Sequence, residues 1–191
     1  FFFRYQVGHM YFRYFMWNFV GRQDDVQSHG GYLHGNWISG IDFLDNFRLG
    51  NQKDRPESLQ NRANNQYYFL PLLLGLLGIF YLYNLGKEGK RQLWLIFLLF
   101  VMTGLAIVVY LNQYPIQPRE RDYAFAGSFY AFAIWIGLGV LALTDALKKV
   151  LPGNLNPILV TLVLLVLVPG IMLAENYDDH DRSGRYTARD L

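Results

Sequence analysis

ILVTLVLLVLVPGIMLA, residues 158–174, runs for seventeen positions without a charged side chain. A bilayer core about 30 Å thick is crossed by roughly 20 mostly apolar helical residues, with a working range near 17 to 25. Three further stretches meet that length: 67–84 (YYFLPLLLGLLGIFYLYN), 93–111 (LWLIFLLFVMTGLAIVVYL) and 122–143 (DYAFAGSFYAFAIWIGLGVLAL). Buried helices of a soluble bundle would keep a polar stripe at helical spacing, and none of the four interiors has one. The sequence therefore predicts an all-α, polytopic membrane protein, with transmembrane helices at about 67–84, 93–111, 122–143 and 157–174. Residues 1–66 form a preceding loop segment, and 175–191 begin a further domain.

Composition agrees. The chain of 191 residues is 52% hydrophobic and 17% aromatic, rich beside the apolar share of roughly 45–50% usual in soluble domains. Residues 1–66 hold thirteen of the thirty-two charged side chains. A net charge of +2 gives no polybasic tail for nucleic acid, and the absence of cysteine removes disulfides and thiolate metal sites. The opening FFFRYQVGHM lacks a basic stretch followed by an apolar core, so no signal peptide is visible and an internal piece of a longer protein is expected.

Lysine and arginine in short loops accumulate on the cytoplasmic side. NLGKEGKRQ carries Lys87, Lys90 and Arg91 against Glu88, and TDALKKVLPGN carries Lys148 and Lys149 against Asp145, so both connections are expected inside. Alternation then places NQYPIQPRERD, residues 1–66 and the tail from Glu175 outside. Tyr67, Tyr68, Trp94, Tyr110 and Tyr123 lie at span ends, where amphipathic rings suit the headgroup level. Gly127/Ala131 and Ala133/Gly137 put small residues four apart in the third span, which lets a neighbour approach closely. Pro169 with Gly170 is expected to kink the last span.

Within 1–66, an aromatic stretch (VGHMYFRYFMWNFVGRQ) reads as an interfacial helix, lying at the membrane surface or packed on the bundle. Gln6, His9 and Arg13 then share one stripe, which either faces water or lines a site. The following Gly-, Asn- and Asp-rich run reads as a folded loop. His29 and His34 with Asp24 and Asp25 have no compact ligand spacing, so no metal and no cofactor is expected.

QPRERDYAFAGSFYAF, residues 117–132, sets four charges before a span. Pro118 suits a first helical position. Glu120 and Asp122 in a first turn complement the helix dipole, whereas Arg119 and Arg121 there call for a negative partner. That partner is either an acid of the chain or an anion such as a lipid-linked phosphate.

The string YLNQYPIQPRERDYAFAGSFYAFAIWIGLGV, with GHMYFRYFMWNFVGRQ, GNWISGI and ENYDDHDRSGRYTARD, resembles a bacterial polytopic membrane family described as a domain of unknown function. That family is grouped with the protein O-mannosyltransferase-like, GT-C type glycosyltransferases. The resemblance spans essentially the whole chain. It implies an enzyme of the bacterial inner membrane that passes a sugar from a polyprenyl-phosphate donor to an acceptor hydroxyl, on a protein, at the outer face. It further implies donor-phosphate binding by Arg119 and Arg121, orientation of those arginines by Glu120 and Asp122, and a cavity rim of His9, Arg13, Arg22 and Asp24. The catalytic acid of such enzymes is expected in an earlier outer loop, beyond these residues. Membrane lipid, the lipid-linked sugar and the acceptor protein are the implied partners. The competing readings are a flippase or transporter for the same lipid, and a membrane scaffold. The first is disfavoured by spans whose polar groups are mainly Thr103, Ser128 and Thr161.

Overall fold

In hydrocarbon each backbone N–H and C=O must be satisfied within its own segment, so long apolar runs fold as helices. The computed structural model describes residues 1–115, 120–150 and 157–183. Three helical stretches in it are long and apolar enough to cross a membrane: Gly86–Leu111 of 26 residues, Asp122–Lys149 of 28 and Pro157–His180 of 24. The first joins α4 (Gly86–Thr103) to α5 (Leu105–Leu111) across Gly104. The second is a 3-10 turn, Asp122–Phe125, running into α6 (Ala126–Val150). The third runs through α7 (Pro157–Leu165), a π-wound turn (Val166–Gly170) and α8 (Ile171–His180). Leu98, Leu99 and Met102 of α4, and Leu159, Leu162 and Val163 of α7, lie on the outside. Apolar surface on that scale is rare on soluble monomers and is what lipid requires. These features mark a membrane protein.

The span boundaries move. The stretch 67–84 is helical only over α3 (Leu70–Asn84), 15 residues, or about 22 Å at 1.5 Å per residue. Tyr68 and Phe69 hold left-handed backbone at φ 53 and 59. The Tyr67 N–H donates to Val20 O at 2.9 Å and the Tyr68 N–H to Ser39 O at 3.0 Å, so both are committed to the loop. The second span starts at Gly86 instead of 93. The third extends past 143, and the last continues six residues beyond 174, so Glu175–His180 is helix where a new domain was expected. Residues 184–191 of that expected domain lie outside the described residues. Pro169 is absorbed in the π-wound turn, whose wider winding accommodates its missing N–H.

α6 packs against α3, α4 and α7. A Cβ on Gly78 of α3 would collide with the Trp135 carbonyl, and one on Gly139 of α6 with the Leu74 carbonyl, so these glycines let the two backbones touch. Gly127 and Ala131 do face neighbours, Gly127 against Thr103. Ala133 and Gly137 are exposed, however, because Gly139 lies on the face turned to α3 and they do not.

The chain opens with α1, π-wound over Phe2–Phe12 and α-helical over Arg13–Phe19. Its Phe15 and Phe19 rings meet Phe132 of α6 at centroid distances of 4.9 and 4.6 Å, so α1 packs on the bundle. β1 (Gly21–Arg22) pairs antiparallel with β2 (Asn65–Gln66), and Trp37 bridges to Arg22 on its other side. Between them lies α2 (Asp42–Leu49). The ribbon is fastened to α8: Gln66 N–H donates to Glu175 at 3.0 Å, and Arg22 Nη2 to Asp179 at 2.7 Å. The loop after α5 is fastened to α1 by Tyr5 OH donating to Pro115 O at 2.9 Å and Gln6 Nε2 to Gln113 O at 3.0 Å. Residues 1–66, 112–115, 120–122 and 175–183 therefore gather at one end of the helices. Lys87, Lys90, Lys148 and Asp145 lie at the other, where Tyr81 OH donates to Asp145 at 3.1 Å.

Candidate functional site

Arg13 is the centre of the polar end. It sits one turn after His9 on α1 and is 4% exposed. Nε donates to His9 O at 3.0 Å, Nη1 to Gly35 O at 3.0 Å and Nη2 to Glu120 Oε2 at 3.0 Å. Tyr14 OH donates to the same Glu120 oxygen. The guanidinium stacks 4.5 Å from the Tyr14 ring centroid and 4.8 Å from that of Trp17, geometry that suits a planar, weakly hydrated cation. Burial pushes the Glu120 carboxyl above the ordinary glutamate value, and the Arg13 charge opposes that rise.

The stripe of Gln6, His9 and Arg13 thus faces protein instead of water: Gln6 and Arg13 are buried and His9 is half-buried. His9 Nε2 lies 2.7 Å from Ser28 O. A carbonyl only accepts, so Nε2 carries the proton and Nδ1 is left with its lone pair. Burial first, and the Arg13 charge second, lower the His9 pKa to about 4, which keeps the ring neutral near pH 7.

Beside this pair lies a cavity of about 480 Å³ whose lining includes Arg4, His9, Arg13, His29, Trp37 and Arg48. No carboxylate lines it among the described residues. Glu120 neutralises Arg13, Asp45 on the same helix as Arg48 partly offsets the Arg48 charge from behind, and Arg4 has no ion-pair partner among the described residues. Arg4 is exposed. Arg48 donates to Trp37 O and lies 3.5 Å from the Trp37 ring centroid, held in place by stacking. Arg4 and Arg48 over an aromatic floor can bind an anion with charge-assisted hydrogen bonds, beside an Arg13 whose charge is already paired.

The expected site residues divide. His9 and Arg13 line the cavity. Arg22 instead ties the ribbon to α8 through Asp179. Asp24 is fully buried, accepting from Gly35 N at 2.7 Å, His34 Nδ1 at 3.1 Å and Arg55 Nη2 at 3.1 Å, so it organises the loop and is no rim residue. Glu120 orients Arg13 and Tyr14, where orientation of Arg119 and Arg121 was expected, because it precedes the helix and turns to α1. The helix begins at Asp122, with Arg121 as its cap. Arg121 and Asp122 are both exposed. Arg119 and Pro118 lie outside the described residues. His29 is exposed on the cavity and His34 pairs with Asp24; among the described residues no group of three or more potential metal ligands converges. Arg4 lies one turn before Gly8 on α1, a position legible once the helix is known. Arg48 comes from thirty-five positions past Arg13, and nothing in the sequence links the two.

Compared with known families, with curated proteins and with solved structures, the chain matches none.

Proposed function

We propose that the chain is the membrane-embedded part of a GT-C type glycosyltransferase. It takes a sugar from a polyprenyl-phosphate donor and passes it to an acceptor hydroxyl, on a protein, at the extracytoplasmic face of a bacterial inner membrane. α3 counts as the first of four crossings, and the polar end faces outward. The observation that carries the reading is the cavity that Arg4 and Arg48 line beside the Glu120-paired Arg13, with no carboxylate among its described lining residues, at the end where the helices leave the apolar zone. A phosphate joined to a polyprenyl chain presents its charge at that depth. As the bond between sugar and phosphate breaks, the electron pair goes to the phosphate oxygen, and fixed guanidinium groups stabilise the charge that develops there. Arg121 follows Glu120 in the chain and extends the same cationic edge in this reading; Arg119 keeps its role on sequence position alone.

Ion-coupled transport of the same lipid is the weaker reading. Thr103, Ser128 and Thr161 donate to backbone carbonyls of their own helices, Leu99, Phe125 and Pro157, leaving them little to offer a moving ion. The test is intact-mass measurement of exported proteins from cells with and without the full-length gene. Hexose increments that vanish with the gene are expected, and an unchanged mass profile contradicts glycosyl transfer.

A further inference from the structure

α2 turns Asp45 and Arg48 toward the protein and its phenylalanines outward, with Asp42 exposed at its first turn. Asp45 is 4% exposed, and its carboxylate accepts from Ser39 N at 2.9 Å and Gly40 N at 2.8 Å. Arg48, also turned inward, is held on Trp37. Phe43 is 78% exposed and Phe47 90%, with Leu44 and the preceding Ile41 also exposed. At 3.6 residues per turn Phe43, Phe47 and Leu44 fall within one arc of about 100°, bordered by Asn46 and Asp42 on one side and by Arg48 on the other. Water does not favour that arrangement, since it leaves two phenyl rings wet at the cost of burying ions.

The depth of α2 is fixed by its neighbours. Ser39 O accepts the Tyr68 N–H at 3.0 Å, and a Cβ on Gly40 would meet the Tyr68 ring at 2.8 Å. Tyr68 stands two positions before α3 begins, at the margin of the apolar helices. An eight-residue helix is only about 12 Å long and cannot cross a bilayer. Set at that margin, its outward face meets the boundary of headgroups and acyl chains.

We infer that α2 is an interfacial helix, sinking Phe43, Leu44 and Phe47 into the leaflet at the polar end of the bundle, with the bilayer surface as its partner. The flank of the same helix, next to Leu44, supplies Arg48 to the cavity, so insertion sets the height of that cation above the acyl chains. The inference does not depend on glycosyl transfer.

The chain has no cysteine, so Phe47→Cys gives one attachment point for the fluorophore NBD. The labelled protein is reconstituted in vesicles of phosphatidylcholine and phosphatidylglycerol, with and without nitroxide lipids labelled high on the acyl chain. NBD at 47 is expected to emit to the blue of its aqueous position and to lose intensity with the nitroxide lipids. Asp42→Cys, on the polar border, is expected to emit as in water. Phe43→Cys repeats the reading should the first variant not fold. Quenching of position 47 and of position 43 by aqueous iodide, with no response to nitroxide lipid, overturns the inference. So does blue-shifted emission insensitive to both quenchers, which would place a protein surface over the face.

Discussion

Arg13 spends its three guanidinium nitrogens on three segments, α1 itself, the Gly35 loop and Glu120. Its side chain is 5% exposed and that of Glu120 13%, so removing either partner strands a buried charge, at a cost of about 3–5 kcal/mol. Arg13→Met and Glu120→Gln are each expected to lower the thermal midpoint in detergent, and the double variant to fall well short of the sum of the two losses. Additive losses would show the pair is not coupled. Arg4 offers a complementary test, because its exposed side chain can be changed without breaking the core. Arg4→Gln should leave abundance and thermal midpoint unchanged while reducing the proposed hexose transfer about 10- to 150-fold, as loss of a charge-assisted bond worth about 1.5–3 kcal/mol implies. Undiminished transfer would remove Arg4 from the site. His9 carries a pH signature. Its folded pKa of about 4 lies below the ordinary 6.5, so the stability it brings is whole above pH 6.5 and is lost as pH falls toward about 4. The difference in thermal midpoint between the protein and His9→Gln is therefore expected to be flat above pH 6.5 and to shift against the wild-type below it. A difference independent of pH would mean the ring titrates normally. The Gln6–His9–Arg13 stripe was visible in helical spacing. Glu120 as its partner was not, because the two lie 107 positions apart, and the local arginines beside Glu120 are the nearer candidates in a linear reading.

At the scale of elements, the contact of α3 and α6 rests on Gly78 and Gly139, where backbone meets backbone. Gly78→Ala is expected to force the helices apart and to cost about 1–3 kcal/mol, read as a lower thermal midpoint, while Gly137→Ala, with nothing within 4 Å of the added carbon, is expected to be neutral. Equal effects would deny the close approach. Hydropathy located each apolar run, since a run without polar residues needs no partner to be recognised. It misplaced the ends, because helix ends answer to local bonding: Tyr67 and Tyr68 give their N–H groups to the ribbon, and Lys87–Arg91 and Glu175–His180 wind on past the apolar zone. Hydropathy also could not say which small residues meet a neighbour, since Ala133/Gly137 and Gly139 differ only in the face they present.

Across the whole molecule, the decisive feature is polarity between two ends. The aromatic helix α1, the loop through Trp37 and α2 line the cavity, and the ribbon tied to α8 lies at the same end, while the lysines of 87–90 and Lys148 stand at the far end. That grouping followed from counting alternating spans, and the loop charges suggested which end is inside. Arg48 and Trp37 as cavity walls did not follow, because the placement of a loop residue depends on tertiary pairing, here the Arg22–Trp37 bridge. The most direct test of this two-ended account uses single cysteines at Ser28 and Lys90 in the full-length protein, exposed to a thiol reagent that does not cross membranes. Ser28→Cys is expected to react in intact cells and Lys90→Cys only after the membrane is opened. Reaction of both from the same side would contradict the account.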